Sequence, residues 1–347
     1  MMRRILVTAA GCPGFAGIVK SLREYFGENV FIVSCDANED VYGRLLADKF
    51  YKVPYATMQE QYVSKITEIV KRDRIDVVLP LTDHEIMALS RLAKDFADRI
   101  PISSYKFIAL TNSKLETYNV TRKLKGVNIP AHFKVNNLQE FGFGWQRLDV
   151  ISAGAEKCIK PDEGRGSRGF FIVDEGGGNL YDKERMRIGK DLAENIIRNA
   201  SGPYILMEYI PPPEYSVDLY MKGERIFAMC QRKRVYTRQG ISYVGEVVND
   251  DDVRLLIERI IVKLNVQGWG ITGNLNFQVR GSPPKLLEIN PRLSGSCVFC
   301  TYAGVNFPVL AVLDTMGEKL PPMFPKVGTK IYRHWCEVIE NPHSHDG

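Results

Sequence analysis

The sequence predicts an α/β Rossmann-like domain over residues 1–108, followed by an α+β region up to residue 347. Between residues 4 and 100, short apolar runs alternate with amphipathic helical segments, which is the pattern of a parallel sheet with crossover helices. Further along the chain, strand-like runs follow one another closely and favour antiparallel pairing. No run approaches 18 uninterrupted apolar residues, so no membrane-spanning helix is expected.

The composition indicates a globular protein. Hydrophobic residues make up 45% of the 347 residues and charged residues 25%, which argues against a disordered, collagen-like or coiled-coil chain. The net charge of +5 is spread along the chain without a Lys/Arg tract, so we expect no nucleic-acid partner. The seven cysteines are odd in number, and we interpret them as reduced thiols in a cytoplasmic protein. The pair Cys297-x-x-Cys300 has no second pair at zinc-ligand spacing, so a metal or redox role is disfavoured.

Three glycines mark the loop after the first predicted strand. Strands are expected at 4–8, 30–35 and 77–81, with helices at 17–26, 61–71 and around 86–92. Gly11, Gly14 and Gly17 lie between the first strand and the first helix, where backbone N–H groups favour an anion. Their spacing departs from Gly-x-Gly-x-x-Gly, so a substrate carboxylate or phosphate is favoured over a dinucleotide. A tight structural turn is the alternative.

The second half combines antiparallel strands with a few helices. Expected strands are 156–160, 169–174, 204–208, 216–221, 226–234, 241–248, 270–280 and 285–290, and expected helices are 113–125, 183–199 and 253–264.

The loop between the strands 156–160 and 169–174 is rich in glycine and in cations. It reads Lys160-Pro-Asp-Glu-Gly-Arg-Gly-Ser-Arg-Gly169, and small residues beside Lys and Arg suit polyphosphate oxygens. It is not a P-loop, because the Gly-Lys-Ser/Thr order is absent and a strand follows. A solvated hairpin is the alternative, but Lys160 ends an apolar strand and would need an anionic partner there.

Polar residues share one face of the last predicted hairpin. Strand alternation places Asn274, Asn276 and Gln278 together on the first strand and Glu288 and Asn290 together on the second, with Arg292 just beyond. Oxygen ligands of this kind suit a hard divalent cation such as Mg²⁺, which also binds substrate phosphates. A polar face open to solvent is the alternative.

In these segments the chain resembles the ATP-grasp superfamily, especially the ATP-grasp halves of the carbamoyl phosphate synthetase large subunit. The segments are KLETYNV from Lys114, CIKPDEGRGSRG, LMEYIPPPEYSVD, GNLNFQV, LLEINPRLSGS and YAGVNFPVLAVLD at 302–314. The resemblance implies a pre-ATP-grasp domain at 1–108, a lid subdomain at 109–187 and a catalytic subdomain at 188–347.

The resemblance also implies roles for individual residues. Lys114 and Lys160 would contact ATP phosphates, and a loop containing Gly164, Gly166 and Ser167 would close over them. Glu208 and the backbone of Tyr209 and Ile210 would contact the adenine, and Glu214 would contact the ribose. Glu288 and Asn290 would hold Mg²⁺, or Mn²⁺ in its place, with Asn276 in the position of a third ligand, while Asn274 and Arg292 would face the transferred phosphoryl group. Relatives often carry Asp or Gln at Asn276, so the choice between one and two metal ions stays open.

The implied reaction is activation of a carboxylate by ATP as an acyl phosphate, followed by attack of an amine or similar nucleophile. Arg234 or Arg238 would bind the substrate carboxylate, and a solvated strand edge is the alternative for both. We expect a stand-alone ligase with small-molecule substrates, for which a homodimer is one option. The competing hypotheses are that the protein is a carbamoyl phosphate synthetase-like component, a non-catalytic nucleotide-binding regulator or a nicotinamide-dependent oxidoreductase.

Overall fold

The computed structural model describes residues 2–163, 169–176, 181–182, 186–238 and 240–340. In this part of the chain, sixteen strands form three sheets. The strands are β1 (Arg3–Val7), β2 (Val30–Asp36), β3 (Lys49–Lys52), β4 (Val77–Leu79), β5 (His132–Val135), β6 (Lys157–Pro161), β7 (Phe171–Asp174), β8 (Tyr181–Asp182), β9 (Arg187–Gly189), β10 (Tyr204–Glu208), β11 (Glu214–Lys222), β12 (Arg225–Arg238), β13 (Ile241–Val248), β14 (Gly273–Arg280), β15 (Lys285–Asn290) and β16 (Lys330–Tyr332).

Ten α-helices accompany these strands in the described part of the chain. They are α1 (Phe15–Phe26), α2 (Gln59–Arg72), α3 (Asp83–Leu92), α4 (Tyr105–Asn112), α5 (Lys114–Thr121), α6 (Leu138–Ile151), α7 (Lys190–Arg198), α8 (Asp251–Val266), α9 (Val298–Tyr302) and α10 (Phe307–Thr315).

The N-terminal sheet has the strand order β3-β2-β1-β4, and all of its neighbours run parallel. This confirms the predicted Rossmann-like domain. Alternate residues of β1 enter different cores, because Ile5 and Val7 pack under one face of the sheet and Leu6 packs under the other. The loops after β1 and β4 therefore emerge together at the carboxyl edge of a sheet that is buried on both faces.

The middle sheet has the order β5-β10-β6-β7-β9-β8 and is mostly antiparallel. Helices α6 and α7 cover one face of it through Trp145, Leu148 and Ile197. Since α7 and β10 belong to this layer, the predicted boundary between residues 187 and 188 falls inside it. The predicted helix at 183–199 is shorter than expected, because β9 occupies residues just before α7.

The C-terminal sheet has the order β15-β14-β11-β12-β13-β16 and is antiparallel throughout. Its apolar face packs against α4 and α8, with Leu275, Phe277 and Val279 of β14 in that core. The predicted hairpin of the last two polar strands is present as β14 and β15.

The N-terminal and C-terminal sheets share one hydrophobic core. Ile18 and Leu22 of α1 belong to the same buried cluster as Val309 and Val312 of α10. This packing holds the loops of the first sheet against the polar face of the last one. No helix of the described part is both long enough and apolar enough to cross a membrane.

Candidate active site

A cavity of about 440 Å³ lies where the three sheets meet. It is bounded by the loops after β1 and β4, by β6 and the end of β10, and by one face of the C-terminal sheet. The predicted site residues that line it are Lys114, Lys160, Tyr209, Ile210, Glu214, Arg234, Asn276, Glu288, Asn290 and Arg292. Residues from widely separated parts of the sequence therefore meet in one place.

The polar face of the C-terminal sheet forms the floor of the cavity. In the strand register, Asn276 lies opposite Asn290 on β15, and Gln278 lies opposite Glu288. The Gln278 amide donates to Ser216 Oγ at 3.1 Å and to Asn276 Oδ1 at 2.8 Å. The alternation predicted for Asn276, Gln278, Glu288 and Asn290 therefore brings these side chains together.

Glu288 and Asn290 offer oxygen atoms that fit a magnesium ion. Within the described residues, the Glu288 carboxylate accepts one hydrogen bond, from Asn290 Nδ2 at 3.2 Å, which leaves most of its oxygen lone pairs available there. Asn276 differs, because its Oδ1 accepts from Gln278 and its Nδ2 donates to Asp218 Oδ1 at 3.0 Å. No cluster of three His, Cys, Asp or Glu suited to a metal occurs in the described residues. The donor set thus suits one ion that takes its remaining ligands from substrate phosphates.

Lys160 is half-buried at the junction of the middle and C-terminal sheets. It lies on β6 opposite Ile205 of β10, and its Nζ donates to Tyr118 Oη at 3.0 Å and to the Leu287 carbonyl at 3.4 Å. Burial lowers the pKa of Lys160, and the nearby Glu288 carboxylate opposes this effect. A phosphate group at this position would stabilise the charged lysine.

Lys114 approaches the cavity from the first turn of α5. Ser113 caps this helix and donates to Asp162 Oδ2 at 2.8 Å, and the backbone N–H of Leu115 donates to Asp162 Oδ1 at 2.8 Å. Lys114 Nζ in turn donates to the Asp162 carbonyl at 2.9 Å. Burial lowers the pKa of Lys114 as well. Asp162 thus ties the helix that carries Lys114 to the strand that carries Lys160.

Arg292 forms an ion pair across the boundary between the N-terminal and C-terminal sheets. Its Nε donates to Asp83 Oδ1 at 2.6 Å and its Nη2 donates to Asp83 Oδ2 at 3.4 Å. Asp83 is the first residue of α3, which follows β4. Burial disfavours the charged guanidinium, but the Asp83 carboxylate outweighs this and raises the pKa of Arg292.

Two arginines contact Glu214 at the other end of the cavity. Arg234 Nη1 donates to the Glu214 carboxylate, and Arg280 Nη1 lies 3.4 Å from Glu214 Oε2. Arg234 also donates to Ser242 Oγ at 3.0 Å and to the Gly240 carbonyl at 2.6 Å. The guanidinium predicted to bind a substrate carboxylate is therefore already held by a carboxylate of the protein.

Of the predicted site residues that the structure describes, three do not line the cavity. The Glu208 carboxylate is paired with Lys285 and accepts from the Ala131 N–H at 2.8 Å. Asn274 is buried two residues before Asn276, outside the cavity lining. Arg238 is exposed, because β12 continues beyond Arg234 into solvent.

The structure describes the residues predicted to contact adenine but not those predicted to cover the phosphates. Gly164, Gly166 and Ser167 lie outside the described residues. Tyr209 and Ile210 line the cavity, but the Tyr209 N–H donates to the Glu156 carbonyl at 2.6 Å.

The structure places three further residues at or beside the cavity that were not among the predicted site residues: Asp83, Asp162 and Arg333. Asp83 had a usable signal, because it follows a predicted parallel strand and such edges collect ligand-binding groups. Arg333 follows a strand of three residues, and no pattern in the sequence marks it.

Two family models match different parts of the chain. Residues 200–336 match the model described as ATP-grasp in the biosynthetic pathway with Ter operon. Residues 5–102 match the model of the PylC-like N-terminal domain.

Solved structures of low sequence identity share the fold over most of the chain. N5-carboxyaminoimidazole synthetase from Staphylococcus aureus, complexed with ADP, has a TM-score of 0.67 at 15% identity over 94% of this chain and 81% of that chain. Biotin carboxylase from Campylobacter jejuni has a TM-score of 0.65 at 15% identity over 94% and 74%. L-amino acid ligase from Bacillus licheniformis has a TM-score of 0.63 at 13% identity over 90% and 74%.

Together, the three-sheet architecture and its central cavity define a protein with a PylC-like N-terminal domain followed by an ATP-grasp fold. The match of residues 200–336 to an ATP-grasp model, together with the shared fold, confirms the resemblance to the ATP-grasp superfamily and agrees with the expected class of ATP-grasp ligases. The narrower resemblance to carbamoyl phosphate synthetase stays a prediction.

Proposed function

We propose that the protein is an ATP- and Mg²⁺-dependent ligase that activates a carboxylate as an acyl phosphate for attack by an amine or a similar nucleophile. The observation that carries this proposal is the convergence of Lys114, Lys160, Glu288 and Asn290 in one cavity between the middle and C-terminal sheets. One buried and one half-buried lysine beside one carboxylate and one amide oxygen match a magnesium-bound polyphosphate.

The protein's own groups would bind and orient ATP. Lys114 and Lys160 would neutralise phosphate oxygens, and their lowered pKa values favour a partner of opposite charge. Glu288 and Asn290 would hold Mg²⁺, which supplies further positive charge to the phosphate oxygens when it is bound. Tyr209 and Ile210 would border the adenine, and Glu214 would border the ribose.

Arg292 would stabilise the phosphoryl group during its transfer. Asp83 engages Nε and one terminal nitrogen, and Nη1 donates only weakly, to the Leu293 carbonyl at 3.3 Å. Fixed donors of this kind lower the barrier because they need no reorganisation as charge develops.

The proposed reaction has two steps. A carboxylate oxygen bonds to the γ-phosphorus of ATP while the bond from that phosphorus to the β,γ-bridging oxygen breaks and ADP leaves. The amine nitrogen then bonds to the carbonyl carbon, phosphate departs with the bonding electrons, and the nitrogen loses a proton. Such chemistry depends on positioning and charge stabilisation more than on a side-chain nucleophile.

A screen for ADP release would test this function. The protein with Mg²⁺ and ATP is incubated with pairs of amino acids or other carboxylates and amines, and each product is identified by its mass. We expect ADP release that needs both substrates and is abolished by EDTA. Arg292→Lys should lower kcat about 10²–10³-fold with little change in ATP affinity. Tight ATP binding without ADP release for any pair would favour a non-catalytic nucleotide-binding regulator instead.

A further inference from the structure

One end of the cavity is closed by a loop of the C-terminal sheet and by the segment after β16. Gly295 lies in the loop after β15, and a Cβ placed on Gly14 would lie 2.9 Å from its Cα, so the N-terminal glycine loop touches it. Arg333 Nη2 donates to the Gly295 carbonyl at 2.9 Å. Ser294, Ser296 and Arg333 all line the cavity.

The two serines are oriented by a buried arginine. Arg232 is 1% exposed, is paired with Asp218, and donates to Ser296 Oγ at 2.6 Å and to Ser294 Oγ at 3.1 Å. A guanidinium can only donate hydrogen bonds, so each serine oxygen acts as the acceptor. Each hydroxyl hydrogen is then left to donate, and within residues 2–163, 169–176, 186–238 and 240–340 no acceptor binds either one.

Arg333 differs from the other cavity arginines in the groups that its guanidinium contacts. Arg234 and Arg280 contact Glu214, and Arg292 contacts Asp83. In the described part of the chain, the Arg333 guanidinium donates to the Gly295 carbonyl and lies 5.5 Å from the centre of the Phe299 ring, but it forms no ion pair with a carboxylate. Burial and the nearby positive charge of Arg232 lower the pKa of Arg333, so a bound anion would favour its charged form.

We propose that Ser294, Ser296 and Arg333 form an oxyanion-binding subsite that takes a carboxylate group of the organic substrate, apart from the site of the ATP phosphates. This rests on the proposed function, which it deepens by assigning the group that recognises the substrate. One guanidinium fork and two hydroxyl donors match the single charge and two oxygens of a carboxylate. A phosphate dianion would call for a second unpaired cation, and the nearby Arg292 is neutralised by Asp83.

The subsite can be tested by calorimetric titration with known anions. The protein is first saturated with Mg²⁺ and a non-hydrolysable ATP analogue, which occupies the phosphate site around Lys114 and Lys160. Acetate, malonate, L-glutamate and inorganic phosphate are then titrated separately. We expect at least one carboxylate to bind in preference to phosphate.

Variants of the subsite should weaken that binding in a graded manner. Arg333→Met should raise the Kd of the carboxylate about 10–100-fold, since a hydrogen bond to a charged group is lost. Arg333→Lys should recover part of the affinity, and Ser296→Ala should cost a factor of about 2–10. Lys330→Met removes an exposed cation from β16, the strand that ends just before Arg333, outside the cavity lining, and should bind as the wild type does. An unchanged Kd of the ATP analogue shows that each variant is folded.

Three results would overturn the subsite. The first is that the wild type and Arg333→Met bind the carboxylate with equal affinity. The second is that phosphate binds more strongly than every carboxylate. The third is that no carboxylate binds although the ATP analogue does. If the analogue itself does not bind, the proposed function fails. The carboxylate titration of nucleotide-free wild type and Arg333→Met then still decides whether the subsite exists.

Discussion

The N-terminal and C-terminal sheets use their faces in opposite ways. Both faces of the parallel N-terminal sheet are apolar, with Ile5 and Leu6 of one strand buried in separate cores. On β14 of the C-terminal sheet, Phe277 enters a core while Asn276 and Gln278 face the cavity. The parallel sheet therefore contributes to the site only through loops at its carboxyl edge, whereas the antiparallel sheet contributes a whole face.

This comparison implies that charge changes on the C-terminal sheet alter chemistry or stability strongly. Changes at the N-terminal sheet should act more weakly, through the contacts its loops make.

Glu288→Gln should lower kcat about 10³-fold or more, since the carboxylate that would hold the metal ion loses its charge and metal charge stabilisation is worth several kcal/mol. Nucleotide affinity should fall much less, because Lys114 and Lys160 remain. Steady-state ADP release and calorimetry with an ATP analogue measure the two quantities. Normal turnover at ordinary Mg²⁺ concentrations would remove the metal role of Glu288.

Asp218→Ala should lower the free energy of unfolding by about 3–5 kcal/mol, because it leaves the Arg232 guanidinium buried without its carboxylate. Urea denaturation followed by circular dichroism measures this change. Glu318→Ala breaks the more exposed pair with Arg3, at 2.9 Å, and serves as the control with an expected loss of about 1 kcal/mol or less. Equal losses of unfolding free energy in the two variants would contradict the stronger dependence of stability on charges of the C-terminal sheet.

Lys160→Ala should weaken binding of ATP by about 10–150-fold, which corresponds to the roughly 1.5–3 kcal/mol of a hydrogen bond to a charged group. The fold should persist, since Tyr118 remains packed in its core. Lys134→Ala, an exposed lysine on β5 of the same sheet, is the matched control and should leave the affinity unchanged. Calorimetric titration with Mg-ADP provides the measurement, and an unaltered affinity would rule out the phosphate role of Lys160.

Asp83→Asn should lower kcat about tenfold and leave ATP affinity unchanged, since it removes the charge that holds Arg292 while keeping the side-chain shape. This tests whether the N-terminal sheet acts on the chemistry through its loop. Glu318→Gln removes another pair between the first and last parts of the chain, outside the cavity lining, and should keep full turnover. If both variants lose activity equally, Asp83 serves only to join the sheets.

Glu85→Gln should change only the pH dependence of stability. The buried Glu85 carboxyl accepts from the Leu81 and Thr82 N–H groups and from Tyr62, and burial raises its pKa above 4.5. The folded state therefore binds this proton more tightly than the unfolded state does. Its contribution to stability is present below pH 4.5 and is lost as the pH rises through the raised pKa.

The glutamine variant lacks this loss. The free energy of unfolding of Glu85→Gln should therefore rise relative to that of the wild type as the pH increases from 4.5 through the raised pKa of Glu85. Denaturation at a series of pH values measures the difference, and parallel curves would show that the pKa of Glu85 is not raised.

The hairpin that carries the proposed metal ligands was predictable because its information is local. Alternation along β14 and β15 and a short turn suffice to bring Asn276, Glu288 and Asn290 together. Helix α6 was not predicted, since Gly142 and Gly144 interrupt its pattern. Gly144 is explained only by the fold, because a Cβ there would lie 3.1 Å from that of Phe133.

The sequence by itself determined the parallel N-terminal region, the antiparallel strands that follow it, the polar face of the last hairpin and the cations beside it. Only the tertiary structure decided which polar groups are available. Asn276 is engaged by Gln278 and Asp218, Arg234 is held by Glu214, and Arg292 is paired with an aspartate 209 positions away. The physical reason is that periodicity sets the face on which a side chain lies, whereas its hydrogen-bond partners depend on strands and loops that meet only when the sheets pack together.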